Sequence, residues 1–211
     1  MTIRTFVLLG FAACTALFGV GACADEPIDA EPHAHHHAMM EAPAPVRRSE
    51  VSYQVPAVRL VRDDGHPVAL RDELAGDRPV VLTFIYTSCT TVCPLTSQTL
   101  SQLQSRLGAA RDQVQIVSIS IDPEQDTPVR LAEYAKTFHA GPEWRHYTGT
   151  LAASQSAQRA FDVYRGNKMN HSPAILVRSS AGASWVRFDG FATADQLLAE
   201  LSVTKMAAAA R

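Results

Sequence analysis

A marked excess of either charge is missing from this chain: 19 lysines and arginines stand against 21 aspartates and glutamates, a formal net charge of −2. With no basic stripe interleaved with aromatics, nothing in it addresses a nucleic acid. Cysteine is scarce too, four in 211 residues; Cys14 falls in the N-terminal leader and Cys23 directly after it. That leaves Cys89 and Cys93. One close pair is not a disulfide framework, and a chain of this length buries enough core to fold without one. Such a pair points to redox or metal chemistry instead. Long apolar runs are also lacking. The longest, Thr5 to Val20, is too short to span a membrane comfortably with its polar flanks.

What the N-terminus does contain reads as a targeting segment. Met1 to Arg4 is a short basic start, and the apolar run ends in Val20-Gly21-Ala22-Cys23. That ending resembles the lipobox of bacterial lipoprotein signals, in which the cysteine is lipidated and becomes the first residue of the mature chain. The expectation is therefore a signal peptide over 1–22 and a lipidated Cys23, preferred over an uncleaved N-terminal anchor. Either arrangement puts the rest of the chain outside the cytoplasm, in a bacterial cell envelope and facing the periplasm, tethered to a membrane. Residues 23–50, rich in proline and alanine, show neither helical nor strand period and read as a flexible linker. Within it lie His33, His35, His36, His37, Met39 and Met40, imidazoles and thioethers that together suit copper. They are read as weaker, auxiliary copper ligands.

The globular part is expected over 51–205, with a frayed tail over 206–211. Its centre is Tyr86-Thr-Ser-Cys89-Thr-Thr-Val-Cys93-Pro94. An apolar, β-branched run, Pro79 to Tyr86, precedes it and reads as a buried strand. A helical pattern follows through Leu95, Leu100, Leu103 and Leu107, closed by Gly108, with Pro94 at the first helical position. Two cysteines thus sit on one turn between strand and helix, where open α/β sheets place their chemistry. The unpaired N–H groups and the dipole of a helix N-terminus favour thiolate over thiol there. Spacing i, i+4 predicts both sulfurs on one helical face.

Around that turn the chain reads as an N-terminal β-hairpin about Asp63-Asp64-Gly65-His66, then alternating elements. Strands are expected at 113–121, 144–147, 174–177 and 184–188. Helices are expected at 128–138, 152–163 and 194–201, with Asp126 or Thr127 and Thr193 as caps. Strand–helix alternation ending in a β-hairpin and a helix predicts a thioredoxin-like α/β fold, a central mixed sheet flanked by helices.

The order Cys89-x-x-x-Cys93-Pro94, then Asp122-Pro123-Glu-Gln-Asp126-Thr127-Pro128, then Asn170-His171-Ser172 before an apolar strand resembles the Sco/SenC family across about residues 52–202. The resemblance implies a membrane-tethered copper-binding protein. Such a protein serves assembly of the binuclear copper centre of cytochrome c oxidase, as copper donor, thiol reductant of that site, or both. Its partners would be the oxidase subunit carrying that centre and other copper chaperones or thiol reductants. It further implies that Cys89, Cys93 and His171 bind copper and that the cysteines are the redox pair. Many members have proline where this chain has Thr90, and aspartate where it has Asn170. Ser172-Pro173 stands where the thioredoxin fold often has a cis-proline.

The residues agree with that implication on their own chemistry. Cu(I) is soft and takes thiolates at low coordination number, and imidazole suits both copper states. His171 precedes a strand expected to run antiparallel to Val80–Tyr86, so its loop opens at the edge that carries the cysteines. Asp122 follows strand 113–121 and reaches the same edge, either as an electrostatic partner of the site or as turn chemistry. Asp126 reads as mostly structural. His66, His139 and His146 read as surface residues.

Two other functions compete. A thiol–disulfide oxidoreductase without copper would ordinarily carry Cys-x-x-Cys, one residue shorter than here. A peroxidase is a variant of it: Thr90-x-x-Cys93 partly matches a peroxiredoxin pattern, which wants proline at 86 where Tyr86 stands. The second competitor is an extracytoplasmic copper scavenger that uses the His/Met stretch.

Overall fold

A computed structural model describes residues 45–201. The leader, Cys23, the stretch His33 to Met40 and the tail 206–211 lie outside the described residues. The chain divides into two units, Met1–Met40 and Glu41–Arg211, and the fold is that of the second.

Among the described residues eight strands form one sheet. They are β1 (Arg47–Val51), β2 (Arg59–Arg62), β3 (Pro67–Ala69), β4 (Val80–Ile85), β5 (Gln115–Ser120), β6 (Trp144–Gly149), β7 (Ala174–Arg178) and β8 (Trp185–Asp189). Their spatial order is β1-β8-β7-β4-β5-β6-β2-β3. β4, β5 and β6 are parallel, and every other neighbouring pair is antiparallel. β4 and β5 lie in the middle with both faces covered, so every residue of each is buried. That is why β4 reads as a nearly continuous apolar run, interrupted only by Thr83, with no alternation. Leu82, Phe84, Val117, Ile119 and Leu176 pack on one face with Tyr147 and Phe161. Val81, Ile116, Ile175, Val177 and Phe188 pack on the other with Leu100, Leu103 and Leu197.

The helices are α1 (Leu70–Glu73), α2 (Val92–Leu107), α3 (Pro128–Thr137), α4 (Leu151–Ala160) and α5 (Ala194–Glu200). Thr127, Thr150 and Thr193 cap α3, α4 and α5, each hydroxyl accepting the N–H three residues on. Thr193 and Gln196 close a full capping box. The expected α/β architecture with its N-terminal hairpin, β2–β3, is what the chain adopts.

The structure corrects the sequence reading in four places. β1 lies inside the stretch read as linker, so the ordered domain begins before Val51. Its sequence, Arg-Arg-Ser-Glu-Val, is that of a charged edge strand, which carries no apolar alternation. α2 begins at Val92, so Pro94 is its third residue, where the N–H is still outside the intrahelical ladder. Cys89 therefore precedes the helix and does not share a helical face with Cys93. His146 is fully buried, not on the surface. β6 places it next to Trp144, whose ring stacks on it at 5.2 Å, and neither ring nitrogen finds a hydrogen-bond partner among the described residues. His66 and His139 are exposed as expected. No peptide bond among the described residues is cis, that before Pro173 included.

One edge of the sheet gathers the segments that matter. The carboxyl ends of the parallel strands β4, β5 and β6 point to it. Because β7 runs antiparallel to β4, its first residue, Ala174, lies there as well.

Candidate metal and thiol centre

The turn between β4 and α2 is built by backbone bonding and by one buried carboxylate. The Cys89 N–H donates to the Tyr86 carbonyl at 3.1 Å, closing a β-turn. Asp126, fully buried, accepts from the Thr87 N–H at 3.2 Å and from the Thr87 hydroxyl at 2.6 Å. It also accepts from the Ser120 hydroxyl at 2.6 Å. This carboxylate fastens the start of the cysteine turn to the end of β5. Read from sequence as mostly structural, it supports the site directly.

Both cysteines are free and buried, Cys89 at 6% exposure and Cys93 at 1%. Their environments differ. The Cys93 N–H, at the second residue of α2, donates to the Cys89 sulfur at 3.4 Å. The sulfur thus does what a capping side chain does; the Thr91 hydroxyl makes no cap bond. Burial works to raise the Cys89 thiol. The backbone N–H groups of Cys93 and Thr91, helped by the Cys93 thiol and the Tyr86 hydroxyl, outweigh it and bring the pKa down to about 7. Cys93 goes the other way. Burial pushes it well above the thiol range, and the neighbouring Cys89 and Asp126 add to the rise. The pair therefore consists of an outer sulfur ready to ionise and an inner one that holds its proton.

His171 follows a 3-10 turn, Lys168–Asn170. The β4–β7 ladder ends at Thr83↔Ile175, and Pro173 has no N–H with which to extend it. The next carbonyl of β4 on that side, Phe84, accepts from the His171 Nε2 at 3.0 Å. A carbonyl only accepts, so Nε2 carries the proton and Nδ1 keeps the lone pair. Burial lowers the pKa of His171, and the nearby Arg165 acts in the same direction. The ring is a neutral donor with its tautomer fixed by a backbone carbonyl, the arrangement typical of a metal-binding histidine.

Asp122 pairs with the Lys168 ammonium, and its carbonyl accepts from the Gln125 and Asp126 N–H groups. It makes the turn, and it tethers the segment that leads to His171 rather than touching a sulfur. Tyr86 joins the parts. Its ring stands edge-on to His171 at 6.5 Å, and Lys168 lies over its face at 5.7 Å. Burial and the neighbouring Cys89 push the Tyr86 hydroxyl up to about 12.

Two thiols and a neutral imidazole on adjoining segments are donors that fit a soft ion. They are not assembled into a closed cage, since no group of three His, Cys, Asp or Glu side chains is ready to hold a metal among the described residues. Beside His171 opens a polar cleft of about 310 Å³ lined by Asp122, Glu124, Gln158, Arg165 and Lys168, which gives the imidazole an approach from solvent. Sequence reasoning missed Tyr86, Lys168 and the Phe84 carbonyl. Only the Tyr86 position next to the motif could have signalled its part.

The family model for SCO1/SenC matches residues 48–205. The SCO1 protein homolog of Bacillus subtilis is 32% identical over 103 residues, 48% of this chain and 52% of that protein. The chain spans about half the length of the curated relatives it matches. A solved structure of Arabidopsis thaliana ScoI with copper bound aligns at TM-score 0.56 and 27% identity, covering 68% of this chain and 92% of that one. The structure of BsSco aligns at TM-score 0.61 and 25% identity, covering 72% of this chain and 93% of that one. It is described as a member of the Sco family of cytochrome c oxidase assembly proteins with a disulfide switch.

Proposed function

The chain belongs to the SCO1/SenC family, and from that premise we propose that it is a copper-binding protein serving assembly of the copper centre of cytochrome c oxidase. Copper is its cargo. Cys89, Cys93 and the Nδ1 of His171 are the donors. The observation that carries this reading is the outer–inner thiol pair on the β4–α2 turn, with a neutral imidazole of fixed tautomer in the adjoining loop. It is tested by titrating Cu(I) into the reduced protein and into Cys89→Ser, Cys93→Ser and His171→Ala. One equivalent should bind with high affinity in the parent, the serine variants should lose it, and the alanine variant should weaken it. Undiminished binding in both serine variants would overturn the assignment.

The asymmetry of the two thiols supports a second activity of the same turn. Cys89, as thiolate, attacks a sulfur of a disulfide on the partner, and one partner thiolate leaves and takes a proton. Cys93 then loses its own proton and attacks Cys89, releasing the second partner thiol and leaving a Cys89–Cys93 disulfide. The partner gains two electrons and this protein loses two. Because a disulfide has no thiolate to offer, the turn carries copper or spends electrons, but not both at once. A mixed disulfide trapped with Cys93→Ser, and absent with Cys89→Ser, is the expected outcome.

Two further parts of the reading concern residues outside the structure. Cys23 is the lipid attachment site that tethers the protein to a membrane of the cell envelope. Mass spectrometry of the native protein should find a lipidated N-terminal Cys23, and an intact Met1 would refute this. Among the described residues no helix is long and apolar enough to cross a membrane. His33, His35, His36, His37, Met39 and Met40 bind copper loosely and speed loading, because a tethered donor acts at an effective concentration of about a millimolar. Deleting 31–40 should slow uptake and leave the affinity of the cysteine site nearly unchanged, and a large loss of that affinity would contradict the role.

A further inference from the structure

Met169 is 72% exposed, more than any other large apolar side chain among the described residues. Its backbone is nevertheless held. Its N–H donates to the Asn167 side chain at 2.9 Å, and the Asn170 and His171 N–H groups close the turn on Asn167 and Lys168. Lys168 fastens the same turn to Asp122. A turn this well fixed presents a thioether to solvent two positions before His171. The sulfur is directed at the site: Met169 Sδ lies 4.0 Å from the Tyr86 hydroxyl, and the Tyr86 ring stands edge-on to His171 at 6.5 Å. A solvent-exposed thioether thus sits against the tyrosine that borders His171, next to a turn whose Cys89 is itself only 6% exposed.

A methionine so placed differs from a leucine in one property relevant here. Its sulfur is a soft, uncharged donor that carries no proton, suited to Cu(I) and poor for Cu(II). We propose that Met169 is the receiving ligand for Cu(I), taking the ion at the surface and passing it to Cys89 and Cys93. The proposal rests on the copper reading of the cysteine pair. The transfer is ligand exchange with copper remaining Cu(I) throughout. A Cu–S bond to Met169 replaces a copper–ligand bond to the donor, which keeps its ligand atom. Bonds to Cys89 and Cys93 then form as their thiol protons pass to water, and the Met169 bond breaks. Met169 thus sets the loading rate and the preference for the reduced ion, while the cysteines set affinity.

The test uses the full reduced chain, Cu(I) supplied as its bicinchoninate complex, and the near-isosteric Met169→Leu. Loading of the cysteine site should slow by about tenfold, the scale on which loss of one supporting contact changes a metal site, with the final copper content unchanged. Met169→Leu loading at the parent rate would overturn the proposal. An independent readout is the methyl resonance of Met169 in the Cys89→Ser/Cys93→Ser variant, where the ion cannot move inward. Added Cu(I) should shift it, and no shift with Cu(I) would also overturn the proposal. If the parent protein takes no cysteine-dependent Cu(I) at all, the copper reading itself fails and this inference with it. Normal loading of Met169→Leu removes the inference alone.

Discussion

At the scale of single residues, the two cysteines differ in position more than in sequence. Cys89 receives a helix-terminal N–H that favours its thiolate, whereas Cys93 is more deeply buried, and that burial, with Cys89 and Asp126, opposes its ionisation. The thiolate is the nucleophile, so alkylation rate follows ionisation. With the Cys89 pKa lowered to about 7, its alkylation in the reduced, metal-free protein should climb with pH and level off above about 7. An ordinary thiol, with a pKa of about 8.5, would still be accelerating there. Cys93 should stay nearly unlabelled across that range. Peptide mapping after a timed pulse of iodoacetamide checks both statements, and equal labelling of the two sulfurs would contradict the outer–inner arrangement. His171 gives a matching expectation of sign. Its lowered pKa keeps it neutral at pH 7, so it offers a lone pair without first shedding a proton.

At the scale of elements, the site is a junction of loops held by side chains remote from one another in sequence. Asp126 belongs to the β5–α3 connection yet fixes the β4–α2 turn through Thr87. Asp126→Ala would leave the Thr87 N–H and the Thr87 and Ser120 hydroxyls without their acceptor. At about 1–3 kcal/mol for a buried unsatisfied group, partly relieved by local adjustment, the expected loss is about 3 kcal/mol. Denaturant unfolding of the reduced protein measures it, and a loss below about 1 kcal/mol would mean that the turn stands without this clamp. The sequence could not display this link. Asp126-Thr127-Pro128 reads as a helix opening, and Thr127 does cap α3; the approach to Thr87 follows only from β4 pairing with β5. β4, α2 and the capping threonines were legible because apolar runs and caps are local signals. β1 was not, because a charged edge strand looks like linker. His146 was not either, because its burial comes from where β6 packs and not from its neighbours in sequence. The cysteine turn and the His171 loop were placed on the correct edge from strand order alone. The tyrosine, lysine and carbonyl that join them required side-chain positions.

At the scale of the whole molecule, the proposed copper donors come from elements that meet only in the folded sheet. Cys89 and Cys93 lie on the crossover after β4, and His171 on the return to β7, adjacent strands that run in opposite directions. An unfolded chain has no such assembly, so copper bound at this site stabilises the fold by mass action. With free Cu(I) at about a thousand times the dissociation constant, the gain is about 4 kcal/mol. For a domain of this size that corresponds to a rise of roughly 10 °C in melting temperature, at about 2–4 °C per kcal/mol. The proposed donors are not assembled into a cage among the described residues, so part of the binding energy would go into bringing the His171 turn to the sulfurs. His171→Ala should therefore retain a reduced shift, while Cys89→Ser and Cys93→Ser should abolish it. Oxidation should abolish it as well, since a Cys89–Cys93 disulfide leaves His171 as the only donor of the three. Thermal melts of the full chain carrying a 31–40 deletion, with and without Cu(I) and in both redox states, separate this site from the histidine-rich stretch. An equal shift in the oxidised protein would place the metal elsewhere and leave the central turn a redox centre alone.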